Sequence, residues 1–367
     1  MLILIVNAGS SSLKLRLLDD ADEVVHRTDL PANAGGFDVS ALHDAIADWP
    51  RPDVVSHRVV HGGERFRSAV RIDAEVEQAL RDLTDLAPLH QPKSLAGFDV
   101  VSAALPDIAA VACFDTAFHA TLSPAAYTYA VPAEWREKHG VRRYGFHGLS
   151  HGYAARHGAG LAGLDVSTAR IVTAHLGAGA SLTAVVGGQS VDTTMGFTPL
   201  EGLVMATRSG SVDPGLVLWL EEHENLSPHE VAVGLEEKSG VLGLTGTADL
   251  REVEERAAAG DADAQLAVEI YVHHLIAGIA AMAASADGID LLVFTGGVGE
   301  HSVGIRRAVA ERLAWLGLAV DDAANAGVDG DADISAAGAS VRCVVVEARE
   351  DIAMADQTRR LVRGGPE

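Results

Sequence analysis

The strongest constraint on the fold is an opening that occurs twice. The chain begins with the apolar run Met1 to Val6 and the turn Asn7-Ala8-Gly9-Ser10; Leu13, Leu15 and Leu17 then alternate with polar residues, and EVVHRTDL follows. Near residue 170, RIVTAHL meets a glycine turn and continues into SLTAVVGG and QSVDTTMG. A continuous short apolar run reads as a buried strand, and strict alternation reads as a half-buried one. Glycine turns between such runs read as hairpins. Ala8-Gly9-Ser10-Ser11-Ser12-Leu13 and Ala178-Gly179-Ala180-Ser181-Leu182 therefore each link two antiparallel strands, and the chain reads as duplicated.

The first opening and the elements that follow it give the order β-β-β-α-β-α-α-β. Helices are expected at Val39 to Trp49, Ala74 to Thr84 and Ser94 to Ala104, with strands at VVSHRVV and IAAVACF. The second half adds the strand LLVFTGG and a helix from Ile305 to Leu316. At 367 residues the chain should hold two domains. The boundary is expected near Gly148.

With 28 Lys and Arg against 51 Asp and Glu, the net charge of −23 excludes a protein built to grip the nucleic-acid backbone. Cys113 and Cys343 lie in apolar runs and are expected as buried thiols. The first six residues lack a basic leader, so they read as a strand and not a signal peptide. The longest apolar stretch, Leu275 to Ala286, is too short to span a bilayer. A soluble cytoplasmic protein without a membrane partner is the expectation.

Three glycine loops at strand ends carry the chemistry. Asn7 to Lys14 places Ser10, Ser11, Ser12 and Lys14 where hydroxyls, backbone N–H groups and an ammonium could converge on phosphate. A polar hairpin would explain the same residues. His175-Leu176-Gly177-Ala178-Gly179 is a second candidate, with a glycine hairpin as its alternative. Gly296-Gly297-Val298-Gly299-Glu300 leaves backbone bare enough for a flat ring or ribose to approach. In so acidic a chain, Arg58 and Arg208 each either pair with a carboxylate or bind an anion. His90, His147 and Asp115 have no metal-ligand spacing and are ambiguous singly.

Together NAGSSSLK, SHRVVHGGE, APLHQP, FDTAFH, RRYGFHG, HLGAGAS, ATRSGSVDPG and FTGGVGE, in this order over nearly the whole chain, resemble the acetate kinase family, with its propionate and butyrate kinase relatives. The resemblance implies an α/β, duplicated ribonuclease-H-like fold, shared with sugar kinases, Hsp70 and actin, with two domains around a nucleotide cleft: residues 1–148 plus a last helix returning at 353–367, and residues 149–352. It implies reversible transfer of the ATP γ-phosphate to acetate, giving acetyl phosphate and ADP, in a cytoplasmic homodimer. A propionate or other short-acid kinase is the alternative enzyme, and a nucleotide-driven conformational ATPase the alternative class.

Carried over by position, the resemblance assigns Mg²⁺, or Mn²⁺ in its place, to Asn7 and Glu350. It assigns the first phosphate loop to Ser10, Ser12 and Lys14, and the acid's carboxylate to Arg58. Arg208 and His147 would stabilise the migrating phosphoryl group, with His90 as a further contact and Asp115 as the essential acidic residue. Val60, Leu89, Phe146 and Pro199 would enclose the acid's methyl group. His175 to Gly179, Asp249-Leu250-Arg251 and Gly296 to Glu300 would bind the nucleotide. The sequence departs from the family at Ala178, His301, Ser211, Gln91 and Ser94, and in Ala348-Arg349-Glu350-Asp351; Ala178 and His301 bear on the donor.

Overall fold

The computed structural model describes residues 1–9, 12–32, 37–86 and 91–364. The chain divides into two compact units, one of residues 1–120, 146–149 and 349–367, the other of residues 121–145 and 150–348. In the first, β1 (Ile3–Ala8), β2 (Ser12–Leu18) and β3 (Val24–Pro31) form an antiparallel meander. β4 (Val54–Val59) then joins β1 in parallel, and β6 (Ala110–Phe114) joins β4 in parallel. The short β5 (Val70–Arg71) closes the edge against β6. The six-stranded order is β3-β2-β1-β4-β6-β5.

The second unit repeats this plan. β7 (Arg170–Leu176), β8 (Ala180–Val186) and β9 (Gln189–Thr193) are the meander. β10 (Leu291–Thr295) adds in parallel to β7 and β12 (Arg342–Val345) to β10, with β11 (Ala332–Asp333) on the edge. The order β11-β12-β10-β7-β8-β9 is the first order read in reverse, so the duplication is one of topology and strand direction. This is the duplicated ribonuclease-H-like α/β fold.

Local sequence explains the elements. In β2, Leu13, Leu15 and Leu17 are fully buried on one face, packing with Leu4, Val6 and Val55 against the helices Val39–Ile46 and Gln91–Ala104. Asp38 caps the first of these helices by accepting from Ser40 and Ala41 N–H, which fixes its start. Gly97 lets the second approach closely, since a Cβ there would lie 2.8 Å from the Ala8 methyl.

Two expectations change. Gly296 to Glu300 is not an open loop but most of a short helix, Gly296–His301. Gly296 has φ +77°, and a Cβ there would lie 2.9 Å from the Leu176 carbonyl, so the chain turns hard against β7 directly after β10. The apolar stretch at Leu275 belongs to a 24-residue helix, Ala262–Ser285, long and apolar enough to cross a membrane by length and composition. Its apolar character is that of a core helix, since Tyr271, Leu275, Ile279 and Met282 are buried at helical spacing and it packs on β7, β8 and β9. Both cysteines are buried, as expected.

Candidate active site

In the first unit the site grows from the parallel pairing of β4 and β6. Arg58 stands beside Cys113 in that register, so Asp115, two residues on, shares its face of the sheet. The arginine donates from Nε to Asp115 Oδ1 at 3.0 Å and from Nη2 to Oδ2 at 2.8 Å. Its Nη1 lies 3.5 Å from Asn7 Oδ1, at the end of β1, and 3.8 Å from Glu350 Oε1. Glu350 opens the helix Glu350–Arg363, which is tied to this face where Thr358 donates to Ser56 Oγ at 2.9 Å.

Burial opposes the charge on Arg58, yet the fields of Asp115 and Glu350 hold its pKa above the ordinary value. Burial pushes Asp115 the other way, above the usual carboxylate range, against the pull of Arg58. The cluster thus gathers three oxygen-bearing side chains around one guanidinium. Its chemistry suits an anion and a hard cation.

Asp115 is held through its backbone. Its N–H donates to the Val59 carbonyl at 3.1 Å, and its carbonyl accepts from Gly148 N–H at 2.8 Å. A Cβ at Gly148 would come within 2.3 Å of that carbonyl, so Phe146-His147-Gly148 can lie here only with glycine at its end. His147 takes φ +55°, a left-handed conformation that few non-glycine residues adopt. Phe146 is buried and meets the His61 ring edge-on at 5.5 Å. Gln91, where the family usually has asparagine, is fully buried and donates to the His61 and Leu80 carbonyls. Val60 is half-buried just beyond β4, Ser12 starts β2, and Lys14 is exposed opposite Asn7. Ser10, Leu89 and His90 lie outside the described residues.

In the second unit, Arg208 sits on a loop tied to the second glycine turn. Ala206 N–H donates to the Ala178 carbonyl at 3.1 Å, and Met205 N–H to the Arg208 carbonyl at 3.1 Å. Arg208 Nη1 donates to the Pro199 carbonyl at 3.1 Å. Burial lowers its pKa, opposed by Glu236, and among the described residues no carboxylate reaches it within ion-pair distance. A half-buried guanidinium held by a neutral carbonyl remains able to meet an incoming anion.

His175 ends β7 and its Nδ1 lies 2.8 Å from Ser150 Oγ. His151 is fixed between Thr173 and Ser181, at 2.7 Å from each. The second glycine turn is tighter than a phosphate cradle needs. Gly177 N–H donates to the Gly179 carbonyl at 3.0 Å, so that N–H faces into the turn and is not a phosphate donor here.

Gly177, Ala178, Asp249, Leu250, Arg251, Gly297 and Val298, from all three expected nucleotide segments, line one cavity of about 430 Å³. That volume suits a small organic ligand. Asp249 caps the helix Leu250–Ala258 and pairs with Arg251 at 2.7 Å. Glu300 braces the fold instead of lining the cavity, its Oε1 accepting from Ala348 N–H at 2.9 Å. Sequence reading missed Tyr271, Glu254 and Ser302 in the same wall, because they come from helices and a helix cap whose polar residues follow no motif.

The acetokinase family model matches residues 42–356. The chain is 42% identical over 400 residues to an acetate kinase of Thermosipho africanus, covering 100% of this chain and 98% of that one. Its fold superimposes on a Porphyromonas gingivalis acetate kinase with a TM-score of 0.90 at 36% identity, covering 98% and 99% of the two chains. A propionate kinase from Francisella tularensis gives 0.91 at 34% identity, again covering 98% and 99%.

Proposed function

The chain belongs to the acetokinase family and is an ATP-dependent carboxylate kinase with acetate kinase activity; from that premise we propose how its residues divide the work. The observation that carries the reading is the position of Arg58. Asp115 takes its Nε and Nη2 side, and the outer edge of Nη1 and Nη2, which Asn7 and Glu350 meet only at 3.5 and 3.8 Å, would grip a second, mobile carboxylate. Val60, Leu89, Phe146 and Pro199 are the residues we assign to the acid's methyl group.

A carboxylate is already a competent nucleophile, so the residues have charge to place and little proton transfer to perform. One acetate oxygen attacks the γ-phosphorus as the bond from γ-phosphorus to the bridging oxygen of ADP breaks, and acetyl phosphate and ADP leave. Arg208 and His147 meet the equatorial oxygens as charge spreads over them. Asp115 positions Arg58 through its paired hydrogen bonds. Ser10, Ser12, Lys14 and His90 contribute donors to phosphate. Gly177, Ala178, Asp249 to Arg251, Gly297 and Val298 line the cavity that we assign to the nucleotide.

Asn7 Oδ1 and the Glu350 carboxylate are oxygen donors gathered within 4 Å of one cationic nitrogen, which fits a hard divalent ion. Mg²⁺ held there with ATP, or Mn²⁺ in its place, would neutralise charge on the outer phosphates. We further assign the enzyme to the cytoplasm as a homodimer, with neither nucleic acid nor membrane as partner. Leu216, Leu218 and Trp219 are exposed on the helix Pro214–His223 and support self-association.

A coupled assay of acetate, propionate and butyrate with ATP and Mg²⁺ tests the reading. Acetate should give the highest kcat/KM and propionate a lower one, since a methylene is worth about 1–3 kcal/mol in such a pocket. Butyrate exceeding acetate would refute the assignment of the pocket.

A further inference from the structure

Between β9 and the helix Pro214–His223, residues 194–213 form no regular element, yet they carry Pro199 and Arg208. A stretch this long without strand or helix is uncommon in a compact domain, and something else must fix it. Here the fixing group is Glu201. Its Oε1 accepts from Arg143 Nη2 at 2.6 Å, and its Oε2 accepts from the Tyr129 hydroxyl. Each partner also holds backbone of the stretch. Arg143 Nη1 donates to the Thr194 and Met195 carbonyls at 3.0 Å each, and Tyr129 Oη accepts from Phe197 N–H at 3.0 Å. Burial, and next the bond to Glu201, push the Tyr129 pKa up, so the hydroxyl keeps its proton and donates. The Gly196 carbonyl accepts from Tyr144 N–H at 3.0 Å, and a Cβ at Gly196 would run into both the Glu201 carboxylate and the Tyr129 hydroxyl.

Arg208 lies at the other end of this clasp. Among the described residues its side chain is held by neutral groups, the Pro199 carbonyl and Met205 Sδ at 3.8 Å, so its direction follows Pro199. Its loop is anchored a second time at Gly202, whose N–H donates to Ser211 Oγ and whose carbonyl accepts from Ser211 N–H, at 3.0 Å each. Pro199 and Gly202 stand on either side of Glu201 in the chain. We propose that Glu201, gripped by Tyr129 and Arg143, is the positioning residue for Arg208: it fixes the two backbone anchors, and through them the guanidinium. The proposal rests on the assignment of Arg208 to the migrating phosphoryl group. A carboxylate suits this task, because charge-assisted hydrogen bonds are roughly twice as strong as neutral ones.

Steady-state kinetics of the full chain in two backgrounds test this. In the unaltered enzyme, Glu201→Ala and Tyr129→Phe should each lower kcat about ten- to a hundredfold, as misplacement of a catalytic group by up to about 1 Å does, while the KM for ATP stays within about twofold. In an Arg208→Ala enzyme neither substitution should change kcat by more than about twofold, because residues that act through one group are not additive. Glu201→Gln, which keeps the chain length and an oxygen for Arg143, should fall between Glu201→Ala and the unaltered enzyme. A merely structural brace would lower kcat equally in both backgrounds, or lower Tm with kcat intact, and either result would overturn the proposal. Tyr129→Phe removes a single oxygen and decides the matter if Glu201→Ala does not fold. If Arg208→Ala kept near-normal kcat, the phosphoryl assignment and the positioning role would fall together. If Arg208→Ala were slow while Glu201→Ala and Tyr129→Phe turned over normally, positioning would fall alone.

Discussion

Arg58 and Arg208 are both half-buried cations, but they differ in what already holds them. Asp115 takes the Nε–Nη2 edge of Arg58, whereas Arg208 has a carbonyl and a thioether. Arg58→Ala should therefore raise the KM for acetate about 10- to 100-fold, the equivalent of about 1.5–3 kcal/mol for a charged hydrogen-bonding contact, and leave that for ATP nearly unchanged. It should also lower Tm, because Asp115 would remain buried without its cation. An equal rise for both substrates would refute the role. Arg208→Ala should act on kcat, by about 10²–10³, as donors aimed at developing charge do. Near-normal turnover in the folded variant would sink the mechanism. Ala178 lines the nucleotide cavity without a side-chain amide, and its carbonyl is engaged by Ala206. Ala178→Asn should lower the KM for ATP several-fold by adding one neutral hydrogen bond of about 0.5–1.5 kcal/mol. Saturation by pyrophosphate with no ATP turnover would instead mean that the donor has changed.

At the scale of elements, strand identity was readable because periodicity reports burial directly: Leu13, Leu15 and Leu17 face the core while Lys14 does not. Helix starts were less legible, since caps and tight turns depend on atoms met only after folding. Gly296–His301 is such a case, where Leu176 dictates the turn. The link between Arg58 and Asp115 was equally hidden, because it depends on the β4–β6 register and on the Gly148 contact that fixes the end of β6. That contact gives a test of the element itself. A Cβ at Gly148 would lie 2.3 Å from the Asp115 carbonyl and 2.8 Å from Phe118 Cβ, so Gly148→Ala must displace Phe146-His147-Gly148 from β6. Backbone and not a flexible side chain blocks the methyl, so the displacement reaches His147. We expect lower Tm and at least a tenfold lower kcat, since misplacement of about 1 Å can cost about 10²-fold in rate. A variant with unaltered kcat would show that His147 does not depend on this contact.

For the whole molecule, the same topology twice was visible in the sequence because each copy opens with the same strand, glycine turn and strand. Residues distributed between the copies, such as Arg58 and Arg208, become one proposal only through the family pattern. The net charge of −23 is the other property that belongs to the whole chain. Both substrates are anions, so the long-range field opposes their approach, while Arg58, Lys14 and Arg208 attract only at contact. Salt screens the two contributions unequally: at about 0.15 M the Debye length is about 8 Å, which removes most of the distant repulsion and less of a contact made in a desolvated site. The folded chain is also under self-repulsion, which the same salt relieves. Raising KCl from about 10 to about 150 mM, with free Mg²⁺ held constant, should therefore raise Tm and raise or maintain kcat/KM for acetate. An enzyme steered by positive charge would lose kcat/KM steeply over that range. Stopped-flow or steady-state measurements across the series, paired with thermal melts, separate the two. A steep fall in kcat/KM would mean that a local positive field outweighs the acidic surface well beyond contact distance.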